Sequence, residues 1–306
     1  MLEQWLEQLD ELLSSGKLGA AEAFLKETLA ELELRGEASS GASLSLLNEL
    51  ASLYRGTSRL EEAEAAFLRV EDILQDTGQK LSLAFVAVQI NLAGCYRLMG
   101  RAEAALSRYA AAQEGLCALK AQDERAQGAL SDAEGETERP GALSDAERER
   151  LAYLTASVLN NISLLYNDLG NYDQALEYAE QAAEMIGGGV GDDHELATTF
   201  NNLASVYLKL NRFEEAEEAV EEALAIYARM PRENVHHAAA LSTEAALLFR
   251  RGEFDAAEAA LERSAALTEH FFGHNSEYET VQRSLQTLRE ARQRSAAASS
   301  KTTDFT

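Results

Sequence analysis

Apolar positions recur along this chain with a helical period, break off at a short polar turn, and start again. The stretch 159–186, LNNISLLYNDLGNYDQALEYAEQAAEMI, holds two such runs on either side of a turn at 168–171. Each run predicts a helix, and the tight turn folds the two back as an antiparallel pair. Nearly the same text returns at 200–227, as FNNLASVYLKLNRFEEAEEAVEEALAIY. Self-similarity of this kind predicts an array of stacked helical hairpins.

With Asn161 as reference column, the pattern aligns Glu7, Glu49, Asn91, Asn161, Asn202 and Thr243, at spacings of 42, 42, 70, 41 and 41 residues. Five places on, the column holds Leu12, Tyr54, Tyr96, Tyr166, Tyr207 and Leu248. Nine on it holds Gly16, Ser58, Gly100, Gly170, Asn211 and Gly252, where the first helix must stop and a left-handed residue ends it. Eleven on it holds Leu18, Leu60, Ala102, Tyr172, Phe213 and Phe254. Fourteen on it is alanine throughout, at 21, 63, 105, 175, 216 and 257, which lets two helices approach closely while large neighbours fill the gaps. Six hairpins follow. The third departs most, because Ala102 replaces a large side chain, and looser packing is expected there.

These columns divide the chain into hairpins one to three (1–119), a polar insertion expected to be mobile (120–150), and hairpins four to six (151–268). A linker and capping helix (269–292) and a tail expected to be disordered (293–306) complete it. The insertion repeats the heptapeptide GALSDAE at 128–134 and 141–147. After hairpin six, Tyr278, Val281, Leu285 and Leu288 keep a helical stripe, as a lone helix covering the last apolar face would.

Composition narrows the partners. The chain has 52 acidic against 27 basic residues, a formal net charge of −25, which disfavours nucleic acid and anionic membrane. Polypeptides and basic ligands remain. The start carries no secretory signal pattern. The most apolar stretch, 81–98, is interrupted by Gln89, Asn91 and Arg97 and reads as a buried helix. Cys95 and Cys117 show no metal spacing, read as buried small hydrophobes, and suggest a reducing cytoplasm.

The columns resemble the tetratricopeptide repeat, most clearly in Tyr166, Gly170, Tyr172 and Ala175. The period exceeds the usual ~34 of that repeat, so a HEAT-type pair is the competing reading. The long period, the Asn-Asn pair opening the first helix and the linker Gly191-Asp-Asp-His194 resemble the kinesin light chain type. The resemblance spans about residues 5–290 and implies an all-α, right-handed solenoid whose first helices line a concave groove. It also implies a non-enzymatic interaction module that holds an extended peptide of a protein partner. The alternatives are a self-associating scaffold, or a peptide-sensing domain acting on a separate effector.

Candidate groove residues follow from the columns. Asn91, Asn161 and Asn202 share the reference column, and Asn48, Asn160 and Asn201 the one before it. Asparagine is a mediocre helix former, so its recurrence needs a reason. A primary amide donates and accepts at once, as a peptide unit does, and the resemblance implies an asparagine ladder holding a peptide main chain. Bonding between neighbouring hairpins is the alternative. Six or seven places on stand Arg55, Arg97, Asp168, Lys209 and Arg250, whose four cations could accept a carboxylate or simply answer a helix dipole.

Departures matter too. The basic pairs of a chaperone-type carboxylate clamp are missing, since four places before the reference stand Glu3, Ser45, Ala87, Ser157, Thr198 and Ala239. No heptad coiled coil accompanies the repeats. Ser14-Ser-Gly-Lys17 falls in a turn, and the glycines at 187–191 follow a helix rather than a strand. Neither His236-His237 nor His270 with His274 makes a metal pair by spacing. No cofactor or nucleophile–base set is expected.

Overall fold

The computed structural model describes residues 1–128, 142–189, 193–231 and 234–303, with side chains described to residue 295 apart from Val235. Among these residues every regular element is a helix. Hairpin one is α1 (Leu2–Ser14) with α2 (Leu18–Leu34), and hairpin two is α3 (Gly41–Gly56) with α4 (Leu60–Asp76). Hairpin three is α5 (Leu83–Leu98) with α6 (Ala102–Gly128), and hairpin four is α7 (Asp145–Asp168) with α8 (Tyr172–Gly187). Hairpin five is α9 (Asp193–Lys209) with α10 (Phe213–Arg229), and hairpin six is α11 (Val235–Arg251) with α12 (Phe254–Phe272). The helix α13 (Ser276–Thr303) follows alone.

Each column has its physical counterpart. All six turn residues, Gly16, Ser58, Gly100, Gly170, Asn211 and Gly252, have φ between 59° and 79°. The left-handed geometry costs an L-residue roughly 1–2 kcal/mol, so glycine dominates and Ser58 is the least comfortable occupant. The residue two places on begins every second helix, whether it is Leu18, Ala102 or Phe254. All six column alanines have zero exposure, so no larger side chain fits without parting two helices. First helices start differently: Ser40, Ser82, Ser144 and Asn234 cap α3, α5, α7 and α11 by accepting a backbone N–H three residues on.

Hairpin three is well packed despite Ala102. Its first helix, α5, buries Val86, Ile90, Leu92, Cys95 and Tyr96. A polar triad joins it to both neighbours, with Gln89 donating to Glu71 at 2.8 Å and Arg108 donating to Glu71 at 2.6 Å and to Gln89 at 2.8 Å. Cys117 corrects the sequence reading: it is exposed, because it falls between the inward Leu116 and Leu119 on the outer turn of α6. Cys95 is buried, and burial pushes its thiol up to about 11.

Between hairpins three and four, α6 continues to Gly128 and α7 begins at Asp145. Asp123 accepts from the Leu143 amide at 2.8 Å and pairs with Arg148 at 2.8 Å, tying the two helices together. Residues 129–141, the centre of the expected insertion, lie outside the described residues. At the other end, Val281, Leu285 and Leu288 of α13 bury against Ala257, Leu261 and Ala265 of α12 and cover the last apolar face. The α13 backbone remains helical to Thr303, further than the tail expectation allowed, since an alanine-rich segment keeps high helix propensity. Residues 304–306 lie outside the description.

The periodic pattern gave no sign of one long-range contact. The corner between α12 and α13 returns to the first two hairpins. His270 Nε2 donates to the Ser14 carbonyl at 3.0 Å, and Asn275 Nδ2 donates to the Gly56 carbonyl at 2.8 Å. The Ser276 amide donates to Ser58 Oγ at 3.1 Å. Phe272 lies against Gly56, where a Cβ would meet its ring at 2.3 Å. One rim of the solenoid is therefore bridged by its own last corner.

Candidate peptide-binding chamber

Helices α3, α5, α7, α9 and α11 place their inward faces around one cavity of about 700 Å³, which the corner Phe272–Glu277 borders. Among the predicted residues, Asn91, Asn160, Asn161, Asn201, Asn202, Arg55 and Arg97 line it. Asn48, Lys209 and Arg250 stand outside its lining. Lys209 is exposed, and the Arg250 guanidinium lies 3.1 Å from the Phe213 ring centre.

The two asparagine columns divide their work. In the earlier column, Asn48 Oδ1 accepts from Asn91 at 3.1 Å, Asn160 donates to Thr199 at 2.7 Å, and Asn201 accepts from Thr243 at 2.9 Å. Each bond joins consecutive first helices, so this column stitches hairpin to hairpin through side chains. In the reference column, Asn161, which lines the cavity, donates back to its own Ser157 carbonyl at 2.8 Å. Asn202 is 4% exposed with Nδ2 unpartnered, and Asn160, also 4% exposed, keeps Oδ1 unpartnered. A buried amide atom without a partner costs roughly 1–3 kcal/mol. The wall thus holds one amide donor and one amide acceptor without a protein partner.

Charges are unevenly placed. Arg55 Nη1 donates to Asn91 Oδ1 at 3.2 Å, and desolvation followed by the neighbouring Arg97 pulls its pKa down. Arg97 donates to Asp168 at 2.6 Å at the rim. Burial pushes the carboxyls of Glu49 and Glu277 above their ordinary range, with Arg97 partly offsetting the latter.

Sequence reasoning missed two parts of this site. His194 and His236 meet edge to face, 4.6 Å between ring centres, on the cavity wall. Desolvation, then His194 and Arg55, hold His236 down to about 4, so it is neutral at pH 7. The corner is the other part. Asn275 before α13 is legible as an N-cap, and its Oδ1 does accept from the Tyr278 amide at 2.9 Å. Its second bond, to Gly56 across the molecule, has no local signal. His270 and His274 serve separate partners, the latter meeting Glu269 at 2.9 Å.

A stack of six helical hairpins around a polar concave cavity defines an α-solenoid of the interaction class. Tetratricopeptide-repeat family models match residues 154–229 and 237–278. Over those residues the chain carries tetratricopeptide repeats. No curated protein matches it. Among solved structures it is similar to BtubC (BKLC) from P. vanneervenii, at 24% identity over 76% of this chain and 84% of that one, TM-score 0.52. It is also similar to NprR in complex with its cognate peptide NprX, at 15% identity over 98% of this chain and 77% of that one, TM-score 0.63. A Rap protein complexed with Competence and Sporulation Factor aligns at 16% identity over 95% and 75%, TM-score 0.59. At these identities the likeness is one of fold.

Proposed function

We propose that this protein binds a short extended peptide of a protein partner in the concave chamber, by main-chain hydrogen bonds to asparagine amides, and performs no chemistry on it. The supporting observation is the pair of buried, unpartnered amide atoms on Asn160 and Asn202, in a wall that also carries Asn91 and Asn161. Among structures of this fold, NprR is in complex with its cognate peptide NprX, which favours the same use here. The strong negative charge argues for a polypeptide rather than a nucleic acid or an anionic membrane as partner. No described helix is long and apolar enough to cross a bilayer.

Titration of a peptide library against wild type and the Asn161→Ala/Asn202→Ala double variant tests this reading. Two to four neutral hydrogen bonds at ~0.5–1.5 kcal/mol each predict binding weaker by roughly fivefold to a thousandfold. Unchanged binding with retained helicity would remove the amides from the mechanism.

A further inference from the structure

The corner at 270–276 lands on hairpins one and two at positions that depart from their columns. Seven places past the reference stand Ser14, Gly56, Leu98, Asp168, Lys209 and Arg250, so the side chain is small only in the two hairpins that the corner touches. Both small residues close a first helix, where the last carbonyls have no partner of their own. The corner supplies one donor to each: His270 Nε2 to the Ser14 carbonyl at 3.0 Å, and Asn275 Nδ2 to the Gly56 carbonyl at 2.8 Å. Two places after Gly56, Ser58 takes the left-handed turn at φ 59°, and its hydroxyl receives the Ser276 amide at 3.1 Å. A Cβ on Gly16 would stand 2.9 Å from the His270 carbonyl oxygen, so the corner also sits close on that turn. These residues fit one another across more than two hundred positions of chain.

The seam is held differently from the rest of the stack. Hairpins join one another through buried apolar side chains, whereas the corner contributes hydrogen bonds that water can replace and one ring set against a glycine. The neighbouring ring, Phe271, turns instead to Ala238, Leu241 and Leu267 of its own hairpin. A seam with few buried apolar contacts is where a fold opens first. The cavity is walled from both sides of it, by Arg55, Gly56 and Ser58 on one and by Phe272, Ser276 and Glu277 on the other. Parting the seam therefore widens the chamber, and a ligand that touches both sides draws it shut. We infer that the corner is a clasp, which parts from hairpins one and two to admit a peptide and closes over it. This rests on the chamber reading above and adds how its ligand enters and leaves.

Exchange of peptide through a stapled clasp tests it. Ser58→Cys with Ser276→Cys, in a Cys117→Ser background, places two thiols where hydroxyl oxygens now stand 2.9 Å apart, so oxidation locks the clasp and reduction frees it. The probe is a pool of mixed-sequence pentapeptide free acids, followed by rapid gel filtration and mass spectrometry. Peptides loaded before oxidation should leave, and peptides added after it should enter, about tenfold or more slowly than in the reduced protein. Asn275→Asp needs no staple: it keeps the oxygen that accepts the Tyr278 amide and removes the donor to Gly56. It should speed release severalfold with helix content unchanged. Equal rates in oxidised and reduced protein, or release that Asn275→Asp leaves unchanged, overturn the clasp while the chamber reading stands. If no peptide is retained in either redox state, both fall together.

Discussion

Ser58 shows how one position can serve two masters. It occupies the left-handed turn column at φ 59°, where glycine is otherwise commonest, and its hydroxyl meets Ser276 of the returning corner. Glu22 gives a comparable case in charge. It accepts from Lys26 at 2.6 Å on its own helix and from Arg59 at 2.6 Å on the next hairpin, and those bonds, Arg59 first, bring its carboxyl down to about 2. A depressed folded pKa means stability present in full above the unfolded value, near 4.5, and lost as pH falls toward 2. Glu22→Gln should therefore cost about 1 kcal/mol at neutral pH, after allowance for solvent screening. Urea denaturation of both proteins should show that difference shrinking between pH 4.5 and 2; a constant difference would refute the linkage.

At the scale of elements, what the sequence made legible was whatever repeats. Turn residues and column alanines answer to local steric rules, so six copies spell the same hairpin six times. Helix starts at Leu18 through Phe254 follow from the same logic. Asparagine was only half legible. Spacing put both columns on the inward side, but which neighbour each amide meets depends on the rotation between hairpins, and no single repeat encodes that. The α12–α13 corner was not legible, because its contacts join residues more than two hundred positions apart. Gly56 looked like an ordinary helix end until Phe272 lay on it. The Gly56→Leu substitution should drive that ring off and free the corner while leaving the hairpins folded. Hydrogen exchange should then speed at the α13 N-terminal amides, Ser276 among them, with α5 and α7 unchanged. Equal exchange in both proteins would mean the corner does not hold the rim.

For the whole molecule, two features work together. The acidic excess lies largely on outward helices, with Glu214, Glu217, Glu218 and Glu221 on α10 as the densest case, while Arg55 and Arg97 face the cavity. Glu49, Glu195 and Glu277 line the same cavity, so it carries charges of both signs. The curved stack then brings its last corner against its first hairpins, which turns an open trough into a bounded chamber. The cavity wall and the unpartnered amide atoms of Asn160 and Asn202 coincide there. A flat outer face offers none of these.

The most direct measurement is the NMR spectrum of the asparagine side-chain amides, assigned by single Asn→Ala variants, during titration with the pentapeptide free acids. The chamber account predicts saturable shifts for Asn91, Asn161 and Asn202, with Asn211 and Asn234 at the turns and caps staying put. Peptide binding that moves the outer asparagines and leaves those three unchanged would contradict it.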